Sequence, residues 1–428
     1  FKRNGYTYDL GGHRFFTKNN QLVDVIKDIL GDNLLVMPRN SSIYMQGRFF
    51  EYPPKIFSTL AKMPLKTSKN IVVDYIKVAV SHRMLRKKDT SFESWIKNRF
   101  GKTLYDIYFG PYTAKTWGTH PSNIAADWAA QRISVVSLWD AVKNTILKSK
   151  NGPRTYALEF RYPKHGGIGE ISRMLEKEIK ENGGEVMLNC KITDLNMKDN
   201  LVKRVVYSRD GKKYELDAEM FISTIPVTNL IKSFKSHVPD TVLDSATKLR
   251  FKACIFVYIA LNKKEISDNT WIYFPEKNIL ANRINEVGKF SANNAPPNNT
   301  LLCVDLTCDY KDEKWCMSDE KLIDRCVSDF EVIGLFNRDD VVDAFVERED
   351  YTYPLYDLGY KKNLEPVLNF LEGIGNLKTI GRNGLFRYNN MDHSVEMGIL
   401  TAQKIVADEH GEINNIIDEI AVEDEYFG

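Results

Sequence analysis

The sequence predicts an α/β protein of more than one lobe, with α/β segments at the start, middle and end of the chain enclosing a helical stretch and a mostly β stretch. Three observations carry this. The chain has 428 residues, and a single hydrophobic core stops growing at roughly 250–300. Its hydrophobic and charged contents, 43% and 27%, lie near globular averages, so a buried core is available and extensive disorder is not expected. The apolar spacing alternates along the chain between helical and strand periods.

Acidic and basic residues nearly cancel, leaving a formal charge of +2. No global field therefore points to nucleic acid or an anionic membrane, and any anion site must be local. The longest apolar stretch, Ala253 to Leu261, is far shorter than the roughly 20 residues of a bilayer span. No basic segment followed by an apolar run opens the chain, so the cytoplasm is the expected compartment. The six cysteines (Cys190, Cys254, Cys303, Cys308, Cys316, Cys326) are scattered, which reads as reduced thiols. Cys303, Cys308 and Cys316 cluster without a CxxC pair or a nearby histidine, and no metal is expected.

Residue 1 is Phe, ahead of what reads as a strand, Gly5-Tyr-Thr-Tyr-Asp9, and of Gly11-Gly12-His13; a chain that starts there is expected to lack something upstream. Leu22, Val23, Ile26, Ile29 and Leu30 are spaced for an amphipathic helix over Asn20 to Gly31, and Ser42 to Tyr52 alternates like a hairpin around Gln46-Gly47. Helical periods dominate from Pro64 to Lys148, with Ser91 as N-cap of Phe92 to Phe100 and Gly101 closing that helix. The aromatic segment Tyr108-Phe-Gly-Pro-Tyr112 interrupts this lobe. A turn at Gly166–Gly169, a helix from Glu170 to Glu181 and a strand from Glu185 to Cys190 form a βα-type unit, followed by a hairpin through Asp210-Gly211 and a buried strand from Met220 to Ile225. Arg250 to Leu261, Thr270 to Phe274 and Leu301 to Thr307 suggest a second sheet. Last, a strand from Lys378 to Ile380 enters Gly381–Gly384, a helix runs from His393 to Ala407, and an acidic tail follows Glu409.

The dinucleotide fingerprint GxGxxG is absent. Gly167-x-Gly169 and Gly373-x-Gly375 lack the third glycine and read as turns. A subtler cradle stands where the strand ending at Ile380 meets Gly381, Gly384 and the helix beyond Asp392. Unpaired N–H groups and the helix dipole there favour a negative or electron-rich partner. Asp392 serves equally well as an N-cap.

The string Gly381-Arg-Asn-Gly-Leu-Phe-Arg-Tyr-Asn-Asn-Met-Asp-His-Ser394 resembles the C-terminal flavin motif of the UDP-galactopyranose mutases and of the wider amine-oxidase superfamily, which includes protoporphyrinogen-oxidase-like proteins. Asp9-Leu-Gly-Gly-His-Arg14, Tyr108-Phe-Gly-Pro-Tyr-Thr-Ala-Lys-Thr-Trp117 and Phe160-Arg-Tyr-Pro-Lys-His-Gly-Gly-Ile-Gly169 resemble the same group in the same order. In that family a glycine-rich strand and helix precede the Gly-Gly-His segment. The resemblance therefore implies a Rossmann-like FAD/NAD(P)-binding domain whose first strand and helix are missing here, built from residues 1–35, 155–245 and 376–428. It implies a mixed β-sheet substrate domain from 36–63 and 246–375, and a helical insert over 64–154.

The implied cofactor is FAD. Carried over from the family, Gly11, Gly12, His13 and Arg14 lie along the isoalloxazine, where glycines let the backbone approach the ring. Ile192 and Thr224 match positions near the adenine, and Gly381, Arg382, Asn390, Met391, Asp392 and Ser394 match the segment along the pyrimidine ring and ribityl chain. The mutase resemblance implies a small-molecule substrate, a UDP-sugar of cell-surface polysaccharide synthesis, with Arg132 and Arg283 on its diphosphate because permanently charged planar donors suit that group. Tyr388 matches a phosphate-reaching tyrosine, and His13 completes the catalytic candidates. Arg387–Met391 is two residues shorter than the mutase stretch, and Met391 replaces an amide, which draws the chain toward protoporphyrinogen-oxidase-like members. Three readings stand open: a mutase using the flavin without net redox change, an oxidase passing hydride to it, and a cofactor-free fragment without catalysis.

Overall fold

Residues 1–52, 56–84, 88–133 and 159–407 are described in the computed structural model. Their largest sheet has seven strands, in the spatial order Val341–Pro354, Phe251–Leu261, Thr300–Cys308, Arg283–Glu286, Trp271–Tyr273, Ser41–Met45 and Arg48–Tyr52. Neighbours run antiparallel, except that Trp271–Tyr273 lies parallel to Ser41–Met45. The early hairpin thus joins a sheet made mostly from residues more than two hundred positions later.

Phe251–Leu261 shows why the sheet forms. Its alternate residues Ala253, Ile255, Val257, Ile259 and Leu261 pack against Leu322, Cys326, Val327 and Phe330 of the helix Asp319–Val332. The intervening Cys254, Phe256, Tyr258 and Ala260 pack against Tyr6 and Tyr8 from the start of the chain. Both faces are covered, so the strand reads as a continuous apolar run. Cys303 and Cys308 lie on opposite faces of the same sheet, and Cys316 is exposed.

Several predicted elements take their expected bounds. The helix Asn20–Leu30 starts from Asn19, whose side chain accepts from the Gln21 N–H, and stops at Gly31 with φ +51°. Ser91 and Ser94 form a capping box for Phe92–Phe100, closed by Gly101. Gln46-Gly47 and Asp210-Gly211 turn their hairpins with positive φ at both residues, as tight hairpins require.

Other elements depart from expectation. The strand predicted at Gly5–Asp9 is a miniature hairpin, Lys2–Arg3 with Tyr6–Thr7, because Asn4-Gly5 supplies the two positive-φ turn residues. No strand forms over 185–190. Pairing begins at Lys191 instead, where Lys191–Lys198 meets Leu201–Arg209 and then Lys212–Leu216, because no described strand lies alongside 185–190 to complete its ladder. The strand predicted over Met220–Ile225 shortens to Phe221–Ser223, parallel to Leu377–Thr379, and its Ile222 is 50% exposed rather than buried. The end of the predicted helical stretch and the acidic tail fall outside the described residues.

Behind that parallel pair, helices Val227–Ser233, Asp240–Lys248 and Tyr360–Glu372 share a core with Leu377 and Phe386. Helices Asn20–Leu30, Glu170–Glu181 and Met391–Val406 meet through Leu22, Ile26, Ile171, Val395 and Ile399. Among the described residues no helix is long and apolar enough to cross a membrane.

The sheet buries one carboxyl at a cost. Glu286 is 2% exposed and accepts hydrogen bonds from Thr300 at 2.8 Å and the Ile266 N–H at 3.2 Å, but its second oxygen has no partner. Burial raises its pKa from 4.5 to about 7. The folded state therefore prefers the protonated form, and its advantage, full below the unfolded value, is lost as pH climbs through about 7. Thermal unfolding midpoints of wild type are expected to fall between pH 5 and 8, and Glu286→Gln to flatten that slope; an unaltered slope in the variant would assign it to another group.

Candidate active site

The site begins at a short backbone segment clamped at both ends. Upstream, the Asp9 carboxylate accepts from the Tyr162 hydroxyl at 2.6 Å and the Ile168 N–H at 3.0 Å, while Tyr258 donates to the Asp9 carbonyl at 2.6 Å. Downstream, Phe15 and Arg161 exchange backbone hydrogen bonds at 3.0 and 2.8 Å. Between the clamps the chain presses on the sheet. A Cβ on Gly11, which has φ +86°, would stand 2.9 Å from the Phe256 ring, and one on Gly12 would stand 2.6 Å from Trp271 Nε1 and 3.1 Å from the Asn285 amide. Only glycine permits this approach.

The side chains leaving this segment meet a positively charged cleft. The His13 ring is open to solvent, yet protein surrounds it. Burial, then the charges of Arg382 and Arg283, bring its pKa down to about 4. Solvent reaching the ring softens the burial contribution, but the arginines push the same way, so the imidazole is neutral at neutral pH. Arg283 is ion-paired with the buried Asp305 across adjacent strands, and the pair holds the guanidinium in place. Arg14 lies 4.4 Å from the Trp271 ring centre.

Tyrosines wall the cleft. Tyr388 and Tyr353 stack at 5.1 Å, and Arg382 sits 5.1 and 5.4 Å from their rings. Tyr388 also meets Trp128 edge-on at 4.6 Å. Tyr112 follows the π-helical turn Tyr105–Phe109 and meets Tyr273 edge-on at 6.0 Å. Single π turns concentrate at functional sites, and here the turn sets the aromatic segment against the sheet.

The C-terminal junction supplies the remaining wall. Gly381, with φ +80°, leaves the strand Leu377–Thr379, and the position of a Cβ on it lies 4.0 Å from Thr224. Arg382 donates to the carbonyls of Asn389 and, at 3.3 Å, Thr352. The following helix is Met391–Val406, two residues earlier than predicted, and its N-cap is Asn390 in a capping box with His393, not Asp392. Asp392 sits in the first turn, buried, 3.5 Å from the His393 ring. Buried Asn389 donates to Ser394 at 3.1 Å, and its side-chain oxygen has no partner.

The profile of flavin containing amine oxidoreductases matches residues 1–367. The chain belongs to that family. FAD is its cofactor. A crystal structure of reduced UDP-galactopyranose mutase superposes with a TM-score of 0.83 at 21% identity, covering 99% of this chain and 87% of that one. A protein from Exiguobacterium sp. 255-15, proposed to be a protoporphyrinogen oxidase, gives 0.67 at 16% identity over 94% and 89%. Putrescine oxidase bound to putrescine gives 0.59 at 14% over 94% and 91%. At these identities the superpositions speak for the fold.

The residues present fit a flavin. The glycine backbone at 11–12, the positive-φ Gly381 and the unpartnered, buried Asn389 oxygen offer a close-approach surface and a polar acceptor to a planar heterocycle and its chain. Thus His13, Arg14, Arg283, Arg382 and Tyr388, scattered in sequence, act on one another in one cleft. Thr224 joins them through Gly381. Ile192 stands on the separate three-stranded sheet, opposite Tyr207. Arg132 ends the helix that carries Trp128, and its side chain lies outside the described residues. Sequence reasoning missed Arg39, Trp271 and Tyr273. Trp271 and Tyr273 alternate in a strand and read as core; Arg39 follows Pro38 with no motif around it.

Two outcomes follow from this geometry. Gly12→Ala is expected to cost about 1–3 kcal/mol through overpacking against Trp271, read by urea unfolding; an unchanged midpoint would mean that the indole yields freely. His13 favours the neutral form when folded, so its contribution is full above 6.5 and is lost as pH falls toward about 4. Replacing His13 by Asn should reduce the acid-side loss of stability across that interval.

Proposed function

We propose that this flavoenzyme acts on an anionic sugar substrate, a nucleotide sugar of the UDP-hexose class, with the diphosphate held by Arg283 and Arg132. One observation carries the reading. The charges that act most strongly on His13 are those of Arg382 and Arg283, followed by Arg14, and the carboxylate nearest Arg283, Asp305, is already consumed by its ion pair. Such a cleft attracts a diphosphate and repels an alkylamine cation. The same argument disfavours oxidation of a diamine, the chemistry suggested by the likeness to putrescine oxidase.

When bound, FAD supplies a reversible acceptor and donor of electrons. The chain's own residues bind, orient and shield. Arg283, aligned by Asp305, offers its outer N–H groups to oxyanions, and a guanidinium suits this because two parallel hydrogen bonds fix both distance and plane. Neutral His13 directs one ring N–H to the Leu10 carbonyl and can accept at its other nitrogen from a sugar hydroxyl without adding charge. Tyr388 and Tyr353, stacked and braced by Arg382, exclude water from that wall.

Calorimetric titration of the FAD-bound protein is expected to show saturable binding of UDP-galactose and none of putrescine. Arg283→Lys keeps a cation opposite Asp305 but loses the bidentate fork, and should weaken UDP-galactose binding about 10- to 100-fold, the effect of one charged hydrogen-bonding group. Binding of putrescine in place of the nucleotide sugar would overturn the reading.

A further inference from the structure

Among the described residues, no anion partners the Arg14 cation. Arg14 makes no ion pair and no hydrogen bond among them; its Nε is buried and unpartnered, and its guanidinium stands 4.4 Å from the centre of the Trp271 ring. Arg39 approaches the same indole at 5.8 Å, and donates to Ser41 Oγ at 3.4 Å and to the Tyr273 hydroxyl at 3.5 Å. A cation–π contact recovers less free energy than withdrawing a charge from water costs. Two neighbouring arginines on one ring repel each other as well.

The groups around them record the imbalance. Burial, then the charge of Arg39, lowers the pKa of Arg14 to about 9. Burial alone would raise the Tyr273 phenol, but Arg39, Arg283 and Arg14 together outweigh it and bring it below its ordinary value. A buried phenol made more acidic marks a local excess of positive charge around it.

We propose that Arg14 and Arg39, set against the wall of Trp271 and Tyr273, form an oxyanion subsite beside Arg283 that takes a phosphate or carboxylate group of the substrate. Arg14 then belongs to the substrate rather than to the flavin. The subsite extends the nucleotide-sugar reading and rests on it only for the identity of the whole molecule: a substrate filling both regions carries an anionic group beyond the one held by Arg283. Guanidinium groups suit planar and tetrahedral oxyanions alike, because both offer two oxygens to one fork.

The test uses two small probes, inorganic phosphate and D-glucuronate, titrated calorimetrically into the protein with FAD at saturation. Wild type is expected to bind at least one probe saturably, and the tighter probe tells whether the group is a phosphoryl or a carboxylate. Arg14→Met and Arg39→Met should each weaken that binding about tenfold or more, with Arg14→Lys between them and wild type. Arg204→Ala, which alters an exposed pair with Asp217 and Glu215, should leave it unchanged. As a second readout, the probe should raise the wild-type melting temperature but not that of Arg14→Met; without the probe, Arg14→Met should melt no lower than wild type, since it removes an uncompensated charge. No saturable binding to wild type, equal affinity in the Met variants, or anion binding abolished by FAD would each overturn the proposal. Failure of UDP-galactose to bind, with these anions still bound through Arg14, would instead overturn the nucleotide-sugar reading alone.

Discussion

The site depends on the contact between a bare stretch of backbone and the seven-stranded sheet. Gly11 and Gly12 lie where a single methyl group would collide with Phe256 or Trp271. Because the chain there lacks side chains, it can be drawn against the sheet by the Asp9 and Phe15 clamps, and His13 and Arg14 project from a fixed base. The sheet in turn supplies Arg283, Trp271 and Tyr273 from strands whose own positions follow from burial on both faces of Phe251–Leu261. A glycine segment and an apolar strand thus hold most of the polar groups in register.

The cleft is lined by arginines and tyrosines where an ordinary protein interior would pair each cation with a carboxylate. Arg283 has such a partner in Asp305, whereas Arg382 is held by backbone carbonyls and aromatic faces. Carbonyls and rings orient a guanidinium without cancelling its charge. The field therefore remains available to a ligand. The overall fold is shared with putrescine oxidase, and a shared scaffold does not by itself fix the chemistry of the site it carries.

Local elements were legible where a residue type answers a local geometric demand. Asn19, Ser91, Gly31 and Gly101 mark helix ends because caps use short polar side chains and stops use positive φ. The Asp210-Gly211 hairpin follows from the same rule, and so does Asn4-Gly5, whose glycine stands at the start of the predicted strand although the pair carries the turn signal. Residues 185–190 failed for a different reason. A strand is a relation between two segments, and no described strand lies alongside these residues. The start of the last helix was misplaced because Asn390 and Asp392 are both competent caps, and the choice fell to the partner His393 offers Asn390.

The sequence by itself determined the family-level motifs, the inventory of arginines and aromatics, and the order of helices and strands, since each depends on residues close together along the chain. Only the tertiary structure decided that Arg14, Arg39 and Arg283 share one neighbourhood around Trp271 and Tyr273, that Arg382 joins them through His13 and Tyr388, and that Ile192 lies on the three-stranded sheet opposite Tyr207. Electrostatic coupling depends on distance through space and on what lies between the charges. Hydrophobic periodicity, which sets which face of each element turns inward, carries no record of either.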